Sequence, residues 1–365
     1  MKILILTNYA NGLFLFRKEL LKAFTDEGHE VLVSVPRDDN CTKLEGLGVT
    51  IIDTPLERHG MNPLKDLKLF FRYISMIKEV KPQLILTYTI KPDIYGAMAA
   101  RFLHVPYICN VTGLGMAIEH GGMLSKVLLK LYSLSMGKAR KVFFQNERNM
   151  KFMQDRGVAK KNAAILPGSG VNLNEHPFRE YPSEKEGIHF LSVIRIMKDK
   201  GIEEFLEAAE MIKASNPEAV FDLVGEYEED EREKYEPRLK DLEERGIIKY
   251  YGHLDTVEPV MAKSHVIIHP SYHEGLSNVL LEAAACGRPV LATNIHGCIE
   301  TFDPGVSGIA FEARDSKALV TAIEEVLSFS EEERRTMGAK GRKWVEDKFD
   351  RQIVIDAYMQ ELSRL

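Results

Sequence analysis

The sequence has few cysteines and none of the cysteine spacings that build a disulfide framework or a zinc site. Its four cysteines are Cys41, Cys109, Cys286 and Cys298, and no two of them form a C-x-x-C pair. Each stands among apolar or small residues, where a reduced thiol packs as a small hydrophobic group. We therefore predict four buried free thiols and exclude a small disulfide-stapled domain.

Long apolar runs are also absent. Apolar residues make up 45% of the chain, yet no stretch reaches the roughly 18 uncharged apolar residues of a membrane-spanning helix. The opening segment MKILILTNYANG has too short an apolar core for a signal peptide and no small-residue cleavage site, so it predicts a first strand. We expect the protein to stay in the cytoplasm.

The chain lacks a G-x-G-x-x-G motif, which argues against a dinucleotide-binding loop. His265, His269 and His273 recur every four residues, but they span a predicted strand and loop and not one helix, so they do not indicate a metal pair. We interpret His269 as a core residue and His273 as a pocket residue. Nothing in the sequence points to nucleic acid as a partner.

Charge is distributed unevenly, although the net charge is only -6. Residues 1–185 contain 26 Lys and Arg against 18 Asp and Glu, a balance of +8, whereas residues 186–365 contain 22 against 36, a balance of -14. A basic first half favours an anionic partner, such as a phosphorylated substrate or a membrane surface. Random drift of surface charge is an equal alternative.

Short β-branched runs alternate with amphipathic stretches along nearly the whole chain, a pattern typical of β-α units around parallel sheets. One series of predicted strands runs from KILILT to AAILP, and a second runs from GIHFLSVIR to SGIAFE. The stretch between them is rich in proline, asparagine and charge, which indicates a linker. We predict two doubly wound α/β domains facing a cleft, residues 1–170 and 188–345, with a linker at 171–187 and ligands at the carboxyl ends of the strands.

The stretch SYHEGLSNVLLEAAACGRPV, residues 271–290, joins a predicted strand to a helix that a serine or asparagine can cap. Gly275 allows the backbone to approach a ligand closely. Four backbone N–H groups would point outward at the helix start, those of Leu276, Ser277, Asn278 and Val279. Together with the helix dipole they would form a site for a phosphate or a pyrophosphate.

Two glutamates flank this helix start. Glu282, about one turn into the helix, leans back toward its amino end, and Glu274 lies in the loop before it. Both would repel a phosphate, so they are better placed to accept hydrogen bonds from sugar hydroxyls on either side of a diphosphate. The pattern describes a nucleotide-sugar site. The alternative is a capped core helix with one buried, paired glutamate.

Further candidate ligands follow other predicted strands in both domains. In RIMKDKG, Arg195, Lys198 and Lys200 would neutralise a leaving diphosphate, unless they belong to a solvated helix start. In NYANGLF, Gly12 lies in a predicted turn, where it would let the chain pass close to the donor diphosphate or the acceptor. Lys91, at the end of another strand, would meet an acceptor phosphate.

In this order and spacing the motifs resemble the retaining glycosyltransferases of family 4, which have the GT-B fold, over nearly all 365 residues. EGLSNVLLEAAACGRPV resembles the family's E-x7-E signature, and RIMKDKGIEEFLEAA resembles its Arg and Lys pair. NYANGLFLFRKELLKAF and the stretch from TYTIKPD to NVTGLG are similar to the branch that builds capsular and other lipid-linked surface glycans.

The resemblance implies a role for each residue. Glu282 would hold the ribose hydroxyls, Glu274 the donor sugar, and Arg195 with Lys200 the diphosphate. A hexose or N-acetylhexosamine would pass, with retention of its anomeric configuration, from a nucleotide sugar, expected to be a UDP-sugar, to a lipid-linked saccharide on polyprenyl diphosphate. No D-x-D motif is present to hold a divalent ion on the diphosphate, so neither a metal nor another cofactor is expected.

The sequence departs from the family at Thr112, where many members carry a histidine before the glycines of the loop NVTGLGM. A hydroxyl can donate a hydrogen bond to a sugar but cannot serve as a base near neutral pH. Glu119 and His120 would compensate, unless they lie in a solvated loop. Two further interpretations therefore stay open: a UDP-sugar epimerase of the same fold, and a catalytically silent subunit that binds a nucleotide sugar.

Residues 121–141 combine leucines with lysines at helical spacing. A basic amphipathic helix of this kind lies on an anionic membrane, or it is a crossover helix that packs on its own sheet. Because a carrier lipid bearing diphosphate would bring this domain to the inner leaflet, we expect peripheral association with the inner face of the cell membrane. In similar proteins the last helix, here within residues 346–365, crosses back onto the first domain.

Overall fold

The structure, a computed structural model, describes residues 1–56, 62–114, 118 and 121–365. The chain divides into two compact units. Unit 1 consists of Met1–Ser169 together with Val354–Leu365, and unit 2 consists of Gly170–Ile353. The predicted loop residues Glu119 and His120 lie outside the described residues.

Unit 1 is built on a seven-stranded parallel sheet in the order β3-β2-β1-β4-β5-β6-β7. Its strands are β1 (Lys2–Leu6), β2 (Glu30–Val35), β3 (Thr50–Asp53), β4 (Leu84–Tyr88), β5 (Tyr107–Val111), β6 (Lys141–Phe144) and β7 (Ala163–Ile165). The helices are α1 (Ala10–Asp26), α2 (Cys41–Glu45), α3 (Pro63–Val80), a short π-helix (Pro92–Gly96) that continues into α4 (Ala97–Phe102), α5 (Gly122–Met136) and α6 (Glu147–Asp155).

Strand β1, at the centre of the sheet of unit 1, is covered on both faces. Leu4 and Leu6 face the core that α3, α4 and α5 cover, whereas Ile3 and Ile5 face the core on the other side, with α1. A strand covered on both faces needs apolar residues at every position. The run KILIL therefore meets the requirement of a central parallel strand.

Unit 2 has a six-stranded parallel sheet in the order β10-β9-β8-β11-β12-β13. Its strands are β8 (His189–Val193), β9 (Val220–Val224), β10 (Ile248–Tyr250), β11 (Val266–His269), β12 (Val290–Thr293) and β13 (Gly308–Phe311). Its helices are α7 (Ile202–Ser215), α8 (Arg232–Glu244), α9 (Glu258–Lys263), α10 (Asn278–Ala285), α11 (Ser316–Ser328) and α12 (Glu331–Lys348), with short 3₁₀ turns at Glu184–Glu186, Lys198–Lys200, Glu229–Glu231 and Ile299–Thr301.

The last helix, α13 (Arg351–Leu362), starts in unit 2 and completes unit 1. The return to unit 1 begins at Val354 and not at residue 346, because α12 runs on to Lys348 and packs against α10 of unit 2. Residues 171–187, which we predicted as a linker, belong to unit 2 in this division.

The predicted fold class, two doubly wound α/β domains, is confirmed. In each sheet the strand order reverses at one point, between β1 and β4 in unit 1 and between β8 and β11 in unit 2. Ligands of open parallel sheets bind at such switch points, outside the carboxyl ends of the strands. All four cysteines are buried and free, as predicted. No helix of the described ranges combines the length and apolarity needed to cross a membrane.

Candidate functional site

The site predicted from the sequence lies on two loops at the switch point of unit 2. β8 and β11 are neighbours in the sheet, with Val266 opposite Phe190, so the loops after them leave the same edge side by side. Gly201 has a φ of +74°, and a Cβ there would come within 2.1 Å of Pro270 O. The glycine therefore lets the loop that carries Lys200 touch the loop that carries Glu274.

Lys200 and Glu274, both predicted as site residues, are in contact. Lys200 Nζ donates to Glu274 Oε1 over 2.6 Å, and His269 Nε2 lies 3.0 Å from the same oxygen. His269 Nε2 also lies 3.1 Å from Ser277 Oγ, which accepts from Leu280 N–H and caps α10. The loop acid is thus connected through one histidine to the cap of the helix.

The surroundings of Glu274 keep it ionised. Its side chain is only 15% exposed, and burial by itself would raise its pKa. Hydrogen bonds and charge from His269 and Lys200 outweigh burial and lower the pKa to about 2. Both partners use Oε1, and within the described ranges no hydrogen bond reaches Oε2. That second oxygen is the acceptor that Glu274 offers to a ligand.

One of the four amides predicted to face a phosphate is occupied. Ser277 N–H donates to Gly297 O over 2.7 Å, so the prediction that it points outward to a ligand is wrong. Gly297 has a φ of +90°, and a Cβ there would lie 2.4 Å from Glu274 O, which explains how this loop comes so close. Gly275 and Leu276 precede the cap, and Asn278 and Val279 open α10. Ligand binding by the amides of Leu276, Asn278 and Val279, and the close approach of a ligand at Gly275, stay predictions.

Glu282 lies in the second turn of α10 with its side chain partly buried. Burial raises its pKa to about 7, while Arg351 opposes the shift and Glu175 adds to it. Among the residues that the structure describes, none forms a hydrogen bond or an ion pair with its carboxyl group. Glu282 is therefore not the paired core glutamate of the alternative interpretation, and its oxygens are available to hydroxyl donors.

Arg195 is not part of the contact cluster around Glu274. Its side chain is 53% exposed, and Nη1 donates to Glu228 Oε2 over 2.6 Å. Arg195 follows β8 on the same loop as Lys200, but its recorded partner is the acid of a different loop. The diphosphate role of Arg195 stays a prediction.

Gly12 is placed differently from the prediction. Helix α1 begins at Ala10, so Asn11 and Gly12 are in its first turn and not in a turn before it. A Cβ on Gly12 would come within 2.6 Å of Tyr9 Cδ1, so the missing side chain makes room for that ring. This correction follows from packing between neighbouring residues, which the motif alone does not reveal.

Lys91 is already paired. Its Nζ lies 3.0 Å from Asp66 Oδ1, and Tyr95 O–H donates to Asp66 Oδ2 over 3.2 Å. Both charged side chains are largely buried. The prediction that Lys91 awaits an acceptor phosphate missed Asp66. This residue lies in the first turn of α3, 25 residues before Lys91, and belongs to no recognisable motif.

The sequence analysis also missed the contact of His269. It is buried, as predicted for a core residue, but its ring reaches the carboxylate of Glu274. The sequence offered one indication of this contact. His269 is the last residue of β11 and directly precedes the loop that carries Glu274. No set of three or more His, Cys, Asp or Glu side chains in the described parts of the chain is arranged to hold a metal ion.

Comparison with known proteins agrees with this geometry. Residues 174–344 match the family Glycosyl transferases group 1, and residues 2–146 match Glycosyl transferase 4-like. The chain is similar to the N,N'-diacetylbacillosaminyl-diphospho-undecaprenol α-1,3-N-acetylgalactosaminyltransferase of Campylobacter jejuni, with 28% identity over 100% of this chain and 99% of that protein. It is also similar to the UDP-Gal:α-D-GlcNAc-diphosphoundecaprenol α-1,3-galactosyltransferase of Escherichia coli, with 26% identity over 72% of this chain and 71% of that protein.

Among solved structures, the fold is similar to that of HepE of Anabaena in complex with UDP, with a TM-score of 0.83 and 20% identity over 100% of both chains. This likeness confirms the GT-B fold. Because Glycosyl transferase 4-like matches residues 2–146 of unit 1 and Glycosyl transferases group 1 matches residues 174–344 of unit 2, both α/β units are glycosyltransferase domains.

Proposed function

We propose that this chain is a retaining, metal-independent hexosyltransferase. It transfers a hexose or an N-acetylhexosamine from a UDP-sugar to a saccharide carried on polyprenyl diphosphate, for the biosynthesis of a surface glycan. The observation that carries the proposal is the contact of Lys200 with Glu274 at the switch point of unit 2. A nucleotide sugar needs both groups, because its diphosphate is anionic and its sugar offers hydroxyl donors.

In this proposal Glu274 holds the donor sugar. Oε1 is fixed by Lys200 and His269, so Oε2 accepts a hydrogen bond from a sugar hydroxyl without rearrangement of the site. Glu282 accepts from the ribose hydroxyls through its unpaired carboxyl group. Lys200, Arg195 and the amides at the start of α10 attract the diphosphate between the two rings.

During transfer the bond between the anomeric carbon and the phosphate oxygen breaks, and a bond from the acceptor oxygen forms on the same face of the sugar. Negative charge grows on the departing diphosphate, so Lys200 stabilises the transition state more than the bound donor. The departing phosphate oxygen takes the acceptor proton. Glu274, with a pKa of about 2, is too weak a base for that step.

The substrates are proposed from the relatives. The two similar transferases named above act on saccharides linked to diphospho-undecaprenol, and one of them takes UDP-Gal. The basic balance of the first half of the chain suits an acceptor that carries a diphosphate. A screen of UDP-sugars identifies the sugar that is transferred.

Peripheral binding to the inner face of the membrane is part of the proposal. Helix α5 packs inward through Leu128 and Tyr132, so it is a crossover helix, but Leu124 and Val127 on its other side are exposed. Helix α3 has a second exposed apolar row of Leu64, Leu67 and Phe71. Lysines stand beside both rows, at positions 65, 68, 126 and 130, which favours an anionic lipid surface.

The proposal is tested by following UDP release from a panel of UDP-sugars, with and without a polyprenyl-diphosphate-linked saccharide. We expect UDP release that depends on the acceptor and persists in EDTA. The product should have the same anomeric configuration as the donor, as determined by NMR. Conversion of the UDP-sugar without an acceptor would identify an epimerase. No release with any donor and acceptor would favour the silent subunit.

A further inference from the structure

Arg17 is a buried cation of unit 1 that lacks a counter-charge. Its side chain, on α1, is only 5% exposed. Nη1 donates to Phe16 O over 2.8 Å, Nη2 donates to Gly168 O over a long 3.4 Å, and Nε has no partner. No carboxylate of the described residues forms an ion pair with the guanidinium, which is met by two carbonyl oxygens and by the phenols of Tyr88 and Tyr358.

The groups that surround Arg17 do not supply a negative charge. The guanidinium lies 5.6 Å from the ring of Tyr88, whose O–H donates to Tyr358. Burial raises the pKa of both phenols, so both stay neutral at physiological pH. Burial also raises the pKa of Asp93 well above its usual range, and Asp93 accepts from Thr87 instead.

Lys91 provides the contrast within the same unit. It too is largely buried near the carboxyl end of a strand, but its charge is balanced by Asp66 at 3.0 Å. A buried charge is stable when a partner of opposite sign and further hydrogen bonds compensate it. Lys91 has that partner inside the protein, and Arg17 does not.

A small cavity opens beside Arg17. Its volume is about 10 Å³, and its lining includes Thr112, Gln145 and Gly168. A space of this size admits one water-sized group, which is also the size of a single phosphate oxygen. Thr112 and Gln145 directly follow β5 and β6, so the cavity is at the sheet edge where ligands of parallel α/β units bind.

We propose that Arg17 binds a phosphate oxygen of the lipid-linked acceptor in this cavity. The inference rests on the proposed function in one respect, since it takes the acceptor to be a polyprenyl diphosphate. Guanidinium groups suit phosphate because their N–H donors form a planar fork that phosphate oxygens match. The acceptor is favoured over the donor because the predicted diphosphate ligands of the donor, Lys200 and Arg195, belong to unit 2.

The test measures binding of farnesyl diphosphate, which carries the diphosphate and a short prenyl chain, to the full-length protein saturated with UDP. Saturation keeps the donor site occupied. The variant is Arg17→Met, which removes the charge and retains the length of the side chain. The matched control is Lys22→Gln, which removes one positive charge from an exposed position of the same helix, where Lys22 pairs with Asp26.

We expect at least a ten-fold rise in the Kd for farnesyl diphosphate in Arg17→Met and an unchanged Kd in Lys22→Gln. The KM for the lipid-linked acceptor should rise by a similar factor, with the KM for the UDP-sugar unchanged. An unchanged Kd in a folded Arg17→Met protein would overturn the proposal. A variant that weakens UDP and leaves farnesyl diphosphate unaffected would overturn it as well, because the phosphate would then be the donor's.

A further measurement, made on the wild type, does not depend on this variant. If Arg17→Met does not fold, the Nε–H resonance of Arg17, identified in NMR by its loss in Arg17→Lys, has to shift when farnesyl diphosphate is added to the wild type. An unshifted resonance would refute the site. Failure of the proposed function is distinguishable from failure of this site. Farnesyl diphosphate binding to the wild type and to Arg17→Met can be compared even if the wild type transfers no sugar.

Discussion

Lys200 Nζ lies 2.6 Å from Glu274 Oε1, although the two residues are 74 positions apart in the chain. They meet because β8 and β11 are neighbours and because Gly201 has no side chain where the two loops touch. The contact leaves the other oxygen of Glu274 open and keeps its carboxylate ionised.

Replacing Lys200 by methionine should lower kcat by roughly 100-fold, a loss typical of removing one transition-state charge contact. The substitution also removes one of the two groups that lower the pKa of Glu274. Steady-state kinetics with the UDP-sugar and acceptor measure the effect. Arg195→Met is the comparison variant. Because the Arg195 side chain is exposed, this substitution should leave the Tm nearly unchanged. Wild-type kcat in Lys200→Met would contradict the assigned role.

Glu274→Gln should abolish part of the acid sensitivity of the fold. The pKa of Glu274 is lowered in the folded protein, so its contribution to stability is complete above its ordinary pKa near 4.5 and is lost as pH falls toward about 2. Denaturant unfolding between pH 5 and pH 2.5 measures the slope. The variant should show a shallower loss of stability than the wild type, and equal slopes would mean that Glu274 is not held in its ionised state.

Donor binding should depend on pH through Glu282. Its pKa is raised to about 7, and a carboxylate that accepts from two ribose hydroxyls has to be ionised. With a pKa of about 7, the ionised fraction of Glu282 rises about ten-fold between pH 6 and pH 8. The affinity for a UDP-sugar should therefore rise by about the same factor. A UDP-sugar is the proper probe, since free UDP has a terminal phosphate that titrates in this range.

Glu282→Gln should bind the UDP-sugar with an affinity that is flat over the same interval. The effect of pH on stability should have the opposite direction to its effect on donor binding. Between the ordinary pKa of a glutamate and about 7, the carboxyl group of Glu282 is protonated in the folded protein and ionised in the unfolded chain. Wild-type stability should thus fall as pH rises through that window, and the variant should lose less. Isothermal titration and thermal unfolding measure the two effects, and parallel pH profiles for variant and wild type would refute the assignment.

Gly201→Ala should separate the two site loops. The new Cβ would stand 2.1 Å from Pro270 O in a backbone conformation with φ of +74°, so we expect a loss of at least about 2 kcal/mol and a reduced kcat. Gly246→Ala is a matched control in the same unit, with φ of +67° and open space around the new Cβ. It should cost about 1 kcal/mol of backbone strain and leave kcat unchanged. Equal Tm losses in thermal melts would show that contact with Pro270 is unimportant.

Membrane binding should depend on the exposed apolar rows of unit 1. Leu64 of the α3 row is 81% exposed, and Met123, which directly precedes Leu124 of the α5 row, is 78% exposed. Changing both to glutamate should weaken binding to vesicles that contain anionic phosphatidylglycerol, measured by co-sedimentation, by ten-fold or more. Met211→Glu, at an exposed apolar position of unit 2, serves as the control. Equal loss in both proteins would place the lipid contact elsewhere.

The sequence predicted much of the fold because its signals are local. The run KILIL and its counterparts are apolar at every position, which is the requirement for strands covered on both faces, and they identified both sheets. Glu274 and Glu282 were found because loop and helix lie in one continuous stretch. The helix start itself was capped by Ser277, one of the two residues considered.

The corrections all depend on partners distant in the chain or on close packing. Ser277 N–H is taken by Gly297, which reaches it from the loop after β12, and Lys91 is taken by Asp66 of α3. His269 contacts Glu274 because the loop after β11 folds back over the end of its strand. No local pattern indicates which of several polar groups will meet, since that choice is made by tertiary packing.

Helix α13 has a consequence for how the molecule is made. Val354, Tyr358 and Leu362 belong to the core of unit 1, and Tyr358 receives a hydrogen bond from Tyr88. During translation the amino-terminal sheet therefore leaves the ribosome with α1 and α2 on this side but without the part of the core that α13 supplies, which arrives only after the whole of unit 2 has been synthesised. Nascent chains stalled before residue 354 should expose that side to chaperones, whatever the state of unit 2.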